Sequence, residues 1–485
     1  LTLYYRWLYD HAALSEWSMH LPLLLAGIGL LVAAPWLLRR TLPLPVLAIW
    51  TGLLAISPSL VYFSRTARPY ALVALLGVVA IVAFRNAQVQ RRRRRAWAAV
   101  YVVATFVAGW AHLLSLVFTL WPFVHYGTRA LRDAMRNPPG AHGWRPLLGL
   151  LGLGVVTVAA LAAALGPPLL NDWGAMAAKA GADSVDARSL YRTVLMQFGI
   201  ADAWLCAALL ALLAAGWWRL RQRDPDLAGL TLGATLAGIV VICAARPAWI
   251  QHAPVLVRYA APVLPFLLLY LAEGGAGVCA RMRAPLAGAG LAAVALGALF
   301  IAGPMPAWLY RPNQFMDHAI FQFDYDPRAN PYATLLRLGP VSPFYLGLAA
   351  RPPGSVTLIE TPARAQSNLV PDPWYQKIHR QNVKFALASP VCGRGDWDEY
   401  PYDAAGARFR RMVRLADILS GATFGADYLV MRLHPWTLPP GPDYPFPVAW
   451  PDMAACTAKV AAELGAPVYR DDQVVVFALS SSASR

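Results

Sequence analysis

Along residues 1–303 the hydrophobic positions come in long unbroken blocks, whereas beyond Gly303 polar and apolar positions mix as they do in a globular core. A helix crossing roughly 30 Å of hydrocarbon needs about 17–25 mostly apolar residues, because its backbone polar groups must be satisfied within the segment. Ten stretches meet or approach that length: His20–Leu38, Thr41–Phe63, Pro69–Phe84, Ala96–Ala111, His112–Tyr126, Leu147–Leu170, Ala201–Trp218, Leu227–Ala245, Tyr259–Val278 and Leu286–Gly303. Residues 96–126 contain no Asp, Glu, Lys or Arg. As one helix they would extend about 46 Å and overshoot the bilayer, so two short helices with a turn near His112 are predicted.

Ahead of the first block, Leu1, Tyr4, Tyr5, Leu8 and Ala12 share a helical face while Arg6 and Asp10 form an i,i+4 pair on another. That is the pattern of an amphipathic helix lying on the membrane interface. After the last block, Pro304, Pro306 and Pro312 break helicity and set a domain boundary near residue 304. In the tail, Val356–Glu360, Tyr428–Arg432 and Val474–Leu479 read as buried strands, and Ala404–Ser420 and Met453–Leu464 as amphipathic helices. The expected architecture is a polytopic all-α membrane domain over residues 1–303, followed by a small soluble α/β domain over 304–485 that is large enough to bury its own core.

Composition agrees with this pattern: the chain is 58% hydrophobic and 14% charged, too apolar for an ordinary soluble enzyme. Its net charge of +16 would suggest nucleic acid if the basic residues lay in the soluble part, but nearly all of the excess falls in residues 1–303. The run Arg91–Arg95 is therefore read as a topology determinant touching anionic headgroups, with no nucleic-acid partner. Alternate loops at 39–40, 85–95, 127–146, 219–226 and 279–285 hold 17 Arg, against 7 Lys and Arg in the loops between them. The positive-inside bias makes the first set cytoplasmic and sends the tail to the periplasmic side of an inner membrane.

Cys206, Cys243 and Cys279 lie in or at the end of apolar blocks, where a small hydrophobe is the simpler reading. Cys392 and Cys456 lie in the tail, and a periplasmic location would allow them to pair, although spacing alone leaves both states open. No signal peptide opens the chain, which begins at Leu1, and a missing upstream segment is expected. No Walker A loop, dinucleotide fingerprint, His-Glu-x-x-His helix or Cys-x-x-Cys pair is present, so cytosolic nucleotide chemistry has no support. No cofactor is evident, and a divalent metal is left open.

Candidate chemistry gathers at the periplasmic ends of the blocks. Arg65 and Arg68 sit between two of them, and a guanidinium there can give two parallel hydrogen bonds to a lipid phosphate; the simpler reading is that both snorkel to water. His112 at its turn is a candidate ligand contact or a structural histidine. Asp172, Asp183 and Asp186 offer carboxylate oxygens in a long loop, where acids more often only solvate the chain. In the tail, Asp396-Trp397-Asp398-Glu399 and the arginines Arg408, Arg410, Arg411 and Arg414 could bind an acceptor or simply face water.

The stretch Ser64-Arg65-Thr66-Ala67-Arg68-Pro69-Tyr70-Ala71-Leu72 resembles the Ser-x-Glu-Ala-Arg-x-Tyr-x-Leu pattern of the GT-C membrane glycosyltransferases, with Thr66 in place of the Glu. Leu3-Tyr4-Tyr5, His20-Leu21-Pro22, Trp110-Ala111-His112 and Arg258-Tyr259-x-x-Pro262 are similar to further segments of that group, in the same order, so the resemblance covers residues 1–275. It implies transfer of a sugar, with inversion, from a polyprenyl-phosphate donor to a glycan, lipid or protein acceptor at the periplasmic face. Arg68 and Arg258 would hold the donor phosphate, with Arg65, Tyr70, His112 and Tyr259 around the substrate. The catalytic acid that the resemblance implies would precede Leu1. The competing readings are a transporter or flippase of lipid-linked sugars, which would need ionisable residues along a path through the spans, and a non-catalytic membrane scaffold.

Overall fold

The computed structural model describes residues 2–11, 16–136, 144–177, 181, 184–198, 203–247, 250, 253–282, 285–302, 341–362, 372–388, 390–393, 412–434 and 452–479. The chain divides into two compact units, Leu1–Phe323 and Asp324–Arg485. The boundary expected near residue 304 falls among residues 303–340, outside the described ones.

The first unit is helical. Its elements are α1 (Thr2–His11), α2 (Glu16–Leu38), α3 (Leu44–Ile56), α4 (Pro58–Arg65), α5 (Tyr70–Val89), α6 (Arg94–Ala111), α7 (Ser115–Arg136), α8 (Arg145–Ala177), α9 (Ala187–Phe198), α10 (Ala203–Arg223), α11 (Pro225–Ala245), α12 (Ala253–Tyr259), α13 (Leu264–Ala280) and α14 (Pro285–Ala302). Among the described residues five helices, parts of α2, α5, α8, α10 and α11, are long and apolar enough to cross a membrane, and the pair α3 and α4 adds a sixth if counted as one span. α13 and most of α14 are apolar but shorter.

Two breaks set the geometry of the candidate site. The block expected as one span over Thr41–Phe63 bends by 55° between α3 and α4. Pro58 has no N–H to continue the helix and drives Ser57 before it out of the helical region, to ψ 116°. The predicted turn near His112 is present: the His112 N–H closes α6 on Ala108 O at 2.8 Å, and Ser115 N–H turns back to His112 O at 3.0 Å to open α7. α1 folds onto the start of α2, with the Tyr4 and Tyr5 hydroxyls donating to Ser18 O at 2.8 Å and Met19 O at 3.1 Å; the Asp10 side chain lies outside the described ones.

The core of this unit is apolar, with buried rings of Trp50, Phe84, Tyr101 and Phe118. Trp50 is satisfied across the bundle by its Nε1–H to Pro265 O at 2.8 Å, as a buried indole requires. Where α10 crosses α13 both helices use glycine: a Cβ at Gly216 would collide with the Tyr270 carbonyl, and one at Gly274 would lie 2.5 Å from Leu212 O. At the far end of α5 from the Arg65–Pro69 turn, Asp226 accepts from Tyr126 Oη at 2.6 Å and Arg129 Nη1 at 3.0 Å and meets His125 Nε2 at 3.2 Å. Arg85 pairs with both Asp224 and Asp226. Glu273, fully buried in α13, pairs with Arg223.

The second unit is a mixed six-stranded sheet with helices on it. β1 (Thr357–Thr361), β2 (Asn382–Leu387), β3 (Met412–Arg414), β4 (Tyr428–Arg432), β5 (Tyr469–Arg470) and β6 (Val474–Ala478) stand in the order β3-β2-β1-β4-β6-β5. The β1–β2, β2–β3 and β1–β4 pairs are parallel, and β6 pairs antiparallel with β4 and β5. Side chains alternate across the sheet. Ile359, Leu429, Met431 and Phe477 pack with α17 (Leu415–Leu419) and α18 (Met453–Leu464). Leu358, Val430 and Val476 pack with Tyr345 and Leu348 of α15 (Pro343–Ala349) and Tyr375 of α16 (Asp372–His379).

The three predicted strands and the Met453–Leu464 helix are present. The helix expected over Ala404–Ser420 is corrected in its described part: Met412–Arg414 is a strand pairing with β2, and only Leu415–Leu419 is helical. Pairing of Val413 with Ala386 at the sheet edge overrides the helical periodicity of the local sequence. Cys392 and Cys456 are joined by a disulfide, with Cα atoms 4.8 Å apart. Residues 394–411, which carry Asp396-Trp397-Asp398-Glu399 and Arg408, Arg410 and Arg411, lie outside the described ones.

Candidate functional site

Residues far apart in sequence meet where α4, α5, α12 and the α6–α7 turn converge. α4 ends on Arg65, Thr66 leaves the helix in an extended conformation, and Pro69 precedes the first turn of α5 at Tyr70. The Thr66 hydroxyl donates back to Tyr62 O at 2.8 Å and the Ser64 hydroxyl to Val61 O at 2.7 Å, which ties this turn down. α2 comes close behind it: a Cβ at Gly27 would stand 2.6 Å from Ser64 Cβ. Arg68, at the crest of the turn, is exposed, while Arg65 is half-buried.

A chain of rings runs through the site. Phe63 packs on Tyr70 with centroids 5.1 Å apart, Tyr70 on His112 at 5.5 Å, and His112 on Tyr259 at 5.3 Å. The Arg258 guanidinium lies 5.0 Å from the centre of the Tyr259 ring and donates from Nη2 to the Tyr259 hydroxyl at 3.4 Å. Arg68 and Arg258 both act electrostatically on the Tyr62 and Tyr70 hydroxyls, and Arg258 acts on the His112 imidazole. Beneath this layer Phe63, Tyr70, Ala71, Val257 and Ala261 form a buried apolar floor with Ala26 of α2.

Of the six residues singled out in the sequence, Arg68, Tyr70, His112, Arg258 and Tyr259 are thus linked in one cluster, and Arg65 shares the turn as the last residue of α4. Tyr62 belongs to the same cluster and was not singled out, although its place eight residues before Tyr70 in the same motif-bearing stretch was the available signal. Asp186 acts locally. Its Oδ1 accepts the Ser189 N–H at 2.5 Å and caps α9, and that bond holds its carboxyl below the usual range. Asp183 and the side chain of Asp172 lie outside the described residues.

The charge balance of the cluster is one-sided. Neither Arg68 nor Arg258 has a carboxylate partner among the described residues, and Arg258 Nε is buried without a hydrogen-bond partner there. Arg258 thus keeps a desolvated donor, and Arg68, acting on the same tyrosines, adds a second positive charge; an anion reaching both would satisfy that donor and offset the charge. A phosphate monoester or diester has the charge and the oxygen geometry to do so. Among the described residues no group of three or more His, Cys, Asp or Glu could hold a metal ion.

No protein-family model and no curated protein sequence matches the chain. Solved structures do. ArnT from Cupriavidus metallidurans bound to undecaprenyl phosphate superposes with a TM-score of 0.55 at 15% identity, covering 97% of this chain and 85% of that one. The same protein in its apo state gives a TM-score of 0.51 at 16% identity over the same shares. With its membrane-length helices, this chain is a multi-pass membrane protein that shares the fold of ArnT.

Proposed function

We propose that the chain is a glycosyltransferase that moves a sugar from a polyprenyl-phosphate donor to a glycan, lipid or protein acceptor on the extracytoplasmic side of the membrane, with inversion. The observation that carries this reading is the pair Arg68 and Arg258, converging at a helix end with no carboxylate partner among the described residues. ArnT, which shares the fold, binds undecaprenyl phosphate. In this role the two guanidiniums bind the donor's phosphate and, more importantly, the phosphate that departs when the glycosidic bond breaks, where negative charge grows. Tyr70, His112 and Tyr259 supply the flat walls and hydroxyls around the sugar.

The arginine bias of the loops supports an extracytoplasmic site. The Cys392–Cys456 disulfide supports an oxidising compartment for the second unit. A transporter would carry ionisable residues along a path through the spans. The buried Glu273 is instead paired with Arg223, and Asp226 is engaged by Tyr126, Arg129 and Arg85.

The test is transfer by the purified protein from glycosylated undecaprenyl phosphate. Arg68→Ala and Arg258→Ala are each expected to lower the rate by about two to three orders of magnitude, with membrane expression unchanged. Undiminished transfer in both variants would remove the phosphate assignment.

A further inference from the structure

Among the described side chains of α9 the buried ones are polar. They are Ser189, Thr193 and Gln197, at i, i+4 and i+8, and they are 6, 6 and 4% exposed. Leu190 and Tyr191 point the other way and are 46 and 43% exposed. The helices packed against α9 are α12 and α4, the two that carry Arg258 and Tyr259, and Tyr62 and Arg65. A polar stripe turned inward in a membrane protein marks a polar ligand path or a pairing surface.

Thr193 of the stripe donates its hydroxyl to Ser189 O at 2.7 Å, and the Ser189 backbone N–H is taken by Asp186. Gln197 differs. Both its Oε1 and its Nε2 are buried and have no hydrogen-bond partner among the described residues. A buried carboxamide without partners destabilises the fold, and a ligand offering both donors and acceptors would remove that cost. The carboxamide is neutral and can accept and donate at once, which matches the hydroxyl groups of a sugar and not a second phosphate.

We propose that the inward polar face of α9, through the Gln197 carboxamide, recognises the hydroxyls of the sugar carried on the phosphate that Arg68 and Arg258 hold. This rests on the donor reading above and adds to it a specificity-determining residue. The arginines bind any polyprenyl phosphate, and Gln197 distinguishes the glycosylated lipid from the bare one.

The experiment measures binding of undecaprenyl phosphate and of its glucosyl, mannosyl and aminoarabinosyl derivatives to the full chain in nanodiscs, together with melting temperature without ligand. The wild type is expected to bind at least one glycosylated lipid more tightly than the bare lipid. Gln197→Leu, with Gln197→Met as a second apolar variant, should lose on the order of tenfold of that preference, keep its affinity for the bare lipid, and melt higher than the wild type. Arg258→Ala should weaken all four lipids together. Apolar variants that keep the preference would overturn the proposal, as would variants that melt lower and lose every lipid alike. A wild type that binds the bare lipid and gains from no sugar would overturn sugar recognition alone, whereas one that binds none of the four would remove the donor reading as well.

Discussion

His379 is fully buried at the end of α16, with its ring stacked on Tyr345 at a centroid distance of 5.5 Å and its Nδ1 accepting the Gln381 N–H at 3.0 Å. Burial pushes its pKa down to about 4, because a charged imidazolium would lose its water. In the unfolded chain the same group takes its proton near pH 6.5. Between those values the unfolded state binds more protons, so this part of the second unit is stable above pH 6.5 and weakens as the pH falls towards 4. Going from pH 7 to pH 5 should cost roughly 2 kcal/mol. Amide hydrogen exchange over residues 375–387 should therefore accelerate at pH 5, corrected for the intrinsic rate, and His379→Asn should flatten that dependence. Protection that ignores pH would contradict the assignment.

Helix crossings hold the elements of the first unit together, and at the α10–α13 crossing the two backbones approach closely. Gly216 faces the Tyr270 carbonyl and Gly274 faces Leu212, so the two backbones touch where any side chain would separate them. Gly216→Ala should cost on the order of 1–3 kcal/mol through overpacking, read as a lower melting temperature in detergent. Gly152→Ala offers the control, since a Cβ there meets nothing within 4 Å. An equal effect of the two substitutions would show that the crossing is not the cause. The bend between α3 and α4 works in the same way, through the placement of whole helices: Pro58 ends one and starts another, and the redirected α4 delivers Tyr62 and Arg65 to the site.

For the molecule as a whole, the proposed chemistry depends on which side of the membrane the Arg65–Pro69 turn faces. A cysteine at Ala67 should react with a membrane-impermeant maleimide added outside intact cells, whereas one at Gln90, beside the Arg91–Arg95 run, should react only after permeabilisation. The opposite result would invert the topology and end the proposal, because the arginines would then face the cytosol.

Much of the fold was legible in the chain. The blocks of apolar residues fall on helices, the break at His112 follows from a stretch too long for one crossing, and the strands Tyr428–Arg432 and Val474–Ala478 lie where short, continuously apolar runs put them. Such features depend on neighbours a few residues away and on the thickness of the bilayer. The edge strand Met412–Arg414, the intervening Asn382–Leu387 and the short Tyr469–Arg470 were not legible, because they are stabilised by partners far along the chain. For the candidate site, the order of residues was enough to set the chemical types: arginines, tyrosines and a histidine at the ends of apolar segments, where they can reach the headgroup layer. Folding in three dimensions was needed to bring Tyr70, His112 and Tyr259 into contact, to make Arg68 and Arg258 converge with no carboxylate partner among the described residues, and to turn Gln197 inward. Helix packing sets these distances across gaps of up to about two hundred residues, and no local periodicity carries that information.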